Sequence, residues 1–354
     1  MFCPECGSTD KEMINGVCSD CFLKTYTPIS VPSNLKVILC AHCNSTLKEG
    51  KWKKADGLEE TDIIYQTLED NIVVDSLVDN DDTEIVLNIN RMRGSTAECS
   101  VEAIYLLFNQ DLTYKVDVEV KLQNSLCPDC SKRDAGYYET VIQLRADSRE
   151  LSSEEINLAD ETIIKSLKHQ ETKDKLAYIA QRLVLKEGVD YYVGSHKSAK
   201  KLLSSLRDVF GGTVKESPRL MGQDKNTGKG LYRFWISLRL ASFGIGDFIE
   251  YNDIVYQVTG INSKKFQVYN LVDCSETSIL WREYDKVSLL KRADEVNPTT
   301  ITSISPNTIQ ILDPLTYDVI DLEMKEEYGD YHIGEEINVL NISGNVYIIP
   351  TIKK

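Results

Sequence analysis

Cys127-Pro128-Asp129-Cys130-Ser131-Lys132-Arg133 is the last of four Cys-x-x-Cys pairs, and its distance from the other three decides how the first part of the chain must fold. Its companions are Cys3/Cys6, Cys18/Cys21 and Cys40/Cys43. Two thiolates three positions apart in a tight turn can point at one ion, and two such turns complete a tetrahedron with metal–sulfur distances of about 2.3 Å. The flanks suit such knuckles: Cys3-Pro4-Glu5-Cys6-Gly7 and Cys40-Ala41-His42-Cys43-Asn44 each place a small or polar residue after the second cysteine, where the turn must close. The chain shows no secretory signal, which disfavours disulfides. A thioredoxin-like motif needs one pair at a strand-to-helix junction rather than four, and the run spacing of ferredoxins is absent. Two structural Zn²⁺ ions follow, with Cys3, Cys6, Cys18, Cys21, Cys40, Cys43, Cys127 and Cys130 as ligands.

The preferred pairing is sequential. Cys3/Cys6 with Cys18/Cys21 forms a compact local site, so Cys40/Cys43 must reach Cys127/Cys130 across a long insertion. The rival, Cys18/Cys21 with Cys40/Cys43, stays open on spacing alone. Four thiolates per ion leave no position for water or substrate, which marks closed sites rather than catalytic ones. His42 lies inside a knuckle and could replace a cysteine; donating a hydrogen bond to the ligand shell or facing solvent suits it better. Cys99 and Cys274 have no partner in sequence.

Outward from the knuckles the chain reads as several small units. Its 354 residues carry a net charge of -15, with 42% hydrophobic and 27% charged residues. No stretch reaches the ~20 apolar residues of a membrane span, and a cytoplasmic protein is expected. The charge is uneven: residues 191–240 hold ten Lys/Arg and three Asp/Glu, whereas residues 61–90 hold no Lys/Arg and eight Asp/Glu. A polyanion could approach only the basic segment.

Within 51–126 a short helix is expected at 62–68, and period-two alternation predicts strands at 83–90 and 113–122. The strand that follows the last knuckle, 137–144, reads as a continuation of this region. Residues 172–186 carry an apolar stripe at Leu176, Ile179, Ala180 and Leu183 that predicts a helix. A strand at 189–193 precedes a helix capped by Ser195 and ended by Gly211-Gly212. Lys197, Lys200, Lys201 and Arg207 lie on its polar face. Strands near 213–220 and 231–240 flank a glycine-bearing basic loop, 222–230. That loop fails the P-loop pattern, because five residues separate its glycines and Gly230 stands where Ser or Thr must ligate magnesium. With this loop and the helix, the candidate RNA contacts are Lys197, Lys200, Lys201, Arg207, Lys225, Lys229 and Arg233. From 243 onward the pattern is all-β, with Asn252-Asp253 as a two-residue turn. Short strands to about 271 suggest an SH3-like barrel, and those at 300–312, 319–325, 337–340 and 345–349 an OB-like one.

The expected architecture is therefore multidomain α+β: a zinc-binding region with an inserted sheet at 1–150, a basic α+β domain at 151–240, an SH3-like barrel at 241–295 and an OB-like barrel at 296–354. The four histidines lie in different segments and no nucleophile motif such as Gly-x-Ser-x-Gly is present. A binding protein, not an enzyme, is expected. The alternatives weighed are a zinc-ribbon DNA-binding regulator and a zinc-dependent nucleic-acid enzyme. The first fits poorly with residues 1–50, which sum to -1, and the second with closed four-thiolate sites.

The four knuckles, the Cys-Pro-Asp-Cys-Ser-Lys-Arg stretch at 127–133 and Gly136-Tyr137-Tyr138-Glu139 after it resemble the nonsense-mediated-decay protein three (Nmd-three) family, in its archaeal form. The resemblance implies a factor on the subunit-joining face of the large ribosomal subunit, with ribosomal RNA, ribosomal proteins and other factors of that face as partners. It also implies a central domain similar to ribosomal protein L twenty-two and a domain similar to translation factor five-A, and it assigns the eight knuckle cysteines as metal ligands. Eukaryotic members carry a long C-terminal tail with transport signals. Here the sequence ends at Ile352-Lys353-Lys354 after the last strand, so the expectation is maturation or subunit joining rather than export.

Overall fold

A computed structural model describes residues 2–349 except 56, 79–82, 109, 172, 224–227, 315, 329, 330 and 343. The chain divides into two compact units, Met1–Lys132 and Arg133–Lys354.

The first unit is built on a six-stranded sheet of β1 (Asn34–Cys40), β2 (Thr46–Lys48), β3 (Lys51–Lys53), β4 (Thr83–Arg93), β5 (Thr96–Leu107) and β6 (Gln110–Ser125), in the order β3-β2-β1-β6-β5-β4. Helix α1 (Ser19–Thr25) follows the second knuckle, α2 (Glu60–Asp70) lies in the insertion and α3 (Pro128–Asp134) holds the last knuckle. Alternation along β6 buries Val118, Val120 and Leu122, which pack with Val101 and Ala103 of β5 and with Ile63, Ile64 and Leu68 of α2. The expected strands and the helix at 62–68 lie within these elements. The sequence reading passed over β5, the most buried strand of the sheet. The decisive pairing is parallel: β6 lies beside β1 in register from Glu119↔Asn34 to Ser125↔Cys40. Both strands thus run toward the same end of the sheet and deliver Cys40 and Cys127 to one place.

In the second unit, β7 (Thr140–Ala146), α4 (Ser153–Lys168), β8 (Ile179–Leu185), β9 (Gly188–Val193), α5 (His196–Phe210), β10 (Thr213–Gln223) and β11 (Gly230–Leu240) form a five-stranded sheet of order β8-β9-β7-β11-β10 with two helices. Strand β7 corrects the sequence reading of 137–144. It is the middle strand here, antiparallel to β9 and parallel to β11, and its buried Ile142 and Leu144 join the core of α4 and α5. A second correction concerns 172–186: its apolar stripe forms no helix, and 179–185 is a strand paired to β9. A short apolar run cannot separate the two periods, and Tyr191 and Val193 supply the strand partners. The helix lies earlier, where Ser152 and Glu155 make reciprocal cap bonds and Arg149 grips Glu155 at 2.8 and 2.7 Å.

Helix α5 is as expected. Ser195 accepts from the Ser198 N–H at 3.1 Å, and Gly211 closes the helix at φ +63. Asp174 accepts from the hydroxyls of Ser195 and Ser198 at 2.8 and 2.9 Å. Burial pushes the Asp174 carboxyl up, but the Ser195 hydroxyl, the Leu176 N–H and the Ser198 hydroxyl outweigh it and hold it below the ordinary aspartate value. A carboxylate lowered in the fold adds stability at neutral pH that is lost as pH falls through its folded range. Asp174→Asn should therefore flatten the acid limb of a stability–pH curve measured by thermal melting. Ser195→Ala should cost about 1 kcal/mol, read as a drop of about 2–4 °C in Tm.

Two antiparallel sheets complete the unit. β12 (Phe248–Tyr251), β13 (Ile254–Ile261), β14 (Lys265–Asn270), β15 (Glu276–Leu280) and β16 (Val287–Lys291) run in the order β15-β14-β13-β12-β16. β17 (Asn297–Ser305), β18 (Thr308–Leu312), β19 (Val319–Glu323), β20 (Glu336–Ile342) and β21 (Asn345–Ile348) run in the order β19-β18-β17-β20-β21. The Asn252-Asp253 turn has φ of +51 and +62, as a type I′ hairpin requires. The expected single strand at 300–312 is a hairpin that turns at 306–307. The chain as a whole is mostly β, and no helix among the described residues is long and apolar enough to cross a membrane.

Candidate metal centres

The structure brings Cys3, Cys6, Cys18 and Cys21 into one cluster and Cys40, Cys43, Cys127 and Cys130 into another, the sequential pairing. In each, the four sulfurs lie within 4.8 Å of one another. The cross-pair contacts, 3.4 Å for Cys6–Cys18 and 3.7 Å for Cys43–Cys127, are far too long for disulfides. A tetrahedron with metal–sulfur bonds of about 2.3 Å has edges of about 3.8 Å, so the sulfurs stand near the corners an ion would require.

The two clusters share one plan. Each joins a knuckle in a tight turn to a knuckle at the start of a short helix. In the turns, the Gly7 N–H donates to the Cys3 carbonyl at 2.8 Å and the Asn44 N–H to the Cys40 carbonyl at 2.9 Å. Gly7 and Asn44 adopt φ of +74 and +53, which explains a glycine and an asparagine after the second cysteine. Across the pairs, the Cys18 N–H donates to Cys3 Sγ at 3.3 Å and the Cys127 N–H to Cys40 Sγ at 3.4 Å. These N–H bonds stabilise thiolates. The Cys18 backbone N–H leads in lowering Cys3 to about 6. Burial raises Cys40, but the backbone N–H groups of Cys127, His42 and Cys43 bring it below the ordinary thiol value. Hydrogen bonding to Cys6 leads in raising Cys21, and burial leads in raising Cys127 and Cys130. Cys3 and Cys40 are thus drawn toward the thiolate while Cys21, Cys127 and Cys130 are held back from it, a conflict that a divalent cation would relieve. The donor set fits a thiophilic, tetrahedral ion that would cross-link each pair of knuckles and, at the second cluster, tie β1 to β6. His42 is exposed and stands outside the sulfur sets. Cys99 is buried in the β5 core, where burial raises its thiol.

The basic residues distribute over several surfaces. Lys197, Lys200 and Lys201 are exposed on α5, and Lys229 is exposed beside β11. Arg207 is partly buried and engaged within the fold: its Nη2 donates to the Ser263 carbonyl at 2.6 Å, tying α5 to the turn before β14. Arg233 is half-buried on β11, its guanidinium 4.2 Å from the Tyr138 ring centre. Lys225 lies outside the described residues. Lys215, Arg219 and Arg239 are further exposed cations that the sequence reading did not single out. The signal was their period-two spacing with Arg233, which acquires meaning only once the strand register is known.

The fold and these clusters define a class: a mostly β, multi-sheet protein whose first unit is organised by two closed four-cysteine centres. The chain belongs to the NMD3 family: residues 3–135 match the model for "NMD3, N-terminal domain" and residues 137–240 that for "NMD3, second domain". It is similar to the 60S ribosomal export protein NMD3 of Chaetomium thermophilum, at 30% identity over 115 residues, 32% of this chain and 20% of that protein. The match therefore spans about a fifth of that relative's length. Among solved structures, eukaryotic translation initiation factor 5A from Methanococcus jannaschii aligns with 32% of this chain and 92% of its own, at 15% identity and a TM-score of 0.22.

Proposed function

We propose that the chain is a non-catalytic, cytoplasmic factor that binds the large ribosomal subunit at its subunit-joining face, in subunit maturation or in control of subunit joining. Membership of the NMD3 family is the observation that carries this reading, and similarity to a 60S ribosomal export protein of Chaetomium supports it. The clusters agree with it, because four sulfurs per site leave no vacancy for metal-centred catalysis. On this reading each cluster holds one Zn²⁺, residues 241–295 and 296–354 are SH3-like and OB-like barrels, and Lys197, Lys200, Lys201 and Lys229 meet ribosomal RNA.

Sedimentation with purified large subunits tests the proposal. The zinc-loaded chain should pellet with them at low salt and be released as salt rises, since phosphate contacts displace counterions. Failure to co-sediment at low salt overturns it. Reversing charge at Lys197, Lys200 and Lys201 together should weaken binding and reduce the salt slope by up to about 2–3.

A further inference from the structure

Helices α4 and α5 cover one face of the β8-β9-β7-β11-β10 sheet, packing on Ile142, Leu144, Val189, Tyr191, Leu238 and Leu240. Alternation sends the odd-numbered residues of β7, β10 and β11 to the opposite face. The register aligns them in rows: Arg145, Arg239 and Thr213; Gln143, Ser237 and Lys215; Val141, Trp235 and Ser217; then Arg233 and Arg219. Two arginine pairs therefore stand directly opposite each other, an arrangement that costs stability when nothing neutralises it. Only part of that charge is answered within the fold. Arg145 is held by Asp190 at 2.6 Å, and Arg239 lies 3.7 Å from Asp147. No ion pair joins Lys215, Arg219 or Arg233 to a carboxylate among the described residues, and Lys215, Arg219 and Arg239 are exposed.

The same face carries aromatic surface. Trp235 is half-exposed at its centre, and Arg233 lies over Tyr138, which meets Tyr192 edge to face at 4.8 Å. At its lower edge the face opens into a cleft of about 620 Å³ lined by Asp147, Lys215, Ser237, Arg239, Arg282 and Asp285. Cations interleaved with aromatic rings suit a strand whose phosphates and unstacked bases are both accessible. In a chain of net charge -15, this face is where such a polyanion meets attraction.

We infer that this sheet face is a platform for an unpaired segment of RNA. Trp235 and the Arg233–Tyr138 pair stack bases, and Lys215, Arg219 and Arg239 neutralise phosphates along β10 and β11. An acidic protein segment would use the cations and leave the rings unused. The inference deepens the ribosomal reading, and rests on it only for the source of the RNA.

The test is fluorescence anisotropy of a labelled twelve-nucleotide oligouridine with the full, zinc-loaded chain. The single strand should bind more tightly than a duplex of equal length. Lys215→Glu with Arg219→Glu should weaken binding about tenfold or more and lower the salt slope by about 2. Trp235→Leu should weaken it about fivefold or more with the salt slope unchanged. Lys215→Gln with Arg219→Gln, at two exposed positions, repeats the charge test if a melting curve shows the first variant disturbed. Wild-type affinity in the charge variants, or polyglutamate competing as well as RNA, overturns the platform. Sedimentation with large subunits separates the two readings. Subunit binding without oligouridine binding overturns the platform alone, and oligouridine binding without subunit binding overturns the ribosomal reading alone.

Discussion

Replacing Cys127 with serine is expected to release one of two bound metal ions per chain and to loosen the first unit from the end of its sheet. Cys127 lies two residues past the end of β6, and its N–H and sulfur face Cys40 at the end of β1, so this cluster closes the one parallel seam of the sheet. Structural zinc in small finger peptides contributes about 10–16 kcal/mol of apparent binding energy, as much as the whole stability of a typical domain at about 5–15 kcal/mol. The variant should retain one equivalent of metal at Cys3, Cys6, Cys18 and Cys21. Amide exchange should accelerate along 34–40 and 110–125, with residues 140–240 still protected. Two retained equivalents and unchanged exchange would refute the role given to the second cluster. Removing both ions with a chelator should extend the loss to the first knuckle pair.

Gly188→Ala is expected to be the most damaging single methyl in the second unit. Gly188 opens β9 at φ +141, and a Cβ there would run into the carbonyl oxygen of Leu144 in the middle strand of the sheet. Neither strand can move away, because β7 is hydrogen-bonded on both sides by β9 and β11. Backbone strain and overpacking together should cost at least about 3 kcal/mol, read as a shift in the urea midpoint. Gly222→Ala gives the contrast. Among the described residues nothing lies within 4 Å of a Cβ at that position, so a change within about 0.5 kcal/mol is expected.

The knuckles were legible because ligand spacing is a local property: two sulfurs three residues apart, and a glycine or asparagine where the turn needs positive φ. Helix α5 was legible for a like reason, with a serine cap, a regular apolar stripe and a Gly-Gly stop. The missed features depend on partners distant in sequence. Residues 179–185 have an apolar pattern compatible with either period, and pairing with β9 decides it. The strand at 140–146 follows the last knuckle in sequence, yet two strands from the second unit surround it. The basic segment at 191–240 was visible as a charge count. Its division between α5, the Arg207 tether and the sheet face follows from register, which one sequence does not display.

The central claim is that a chain organised by two four-cysteine centres docks on the large ribosomal subunit through its own basic surfaces. A residue-resolution reconstruction of the zinc-loaded chain on that subunit tests it most directly. The account predicts density on the subunit-joining face, with Lys215, Arg219 and Arg239 within hydrogen-bonding reach of ribosomal RNA phosphates and Trp235 against an unpaired base. Density elsewhere on the subunit, or a sheet face turned to solvent with no RNA beside it, would contradict it.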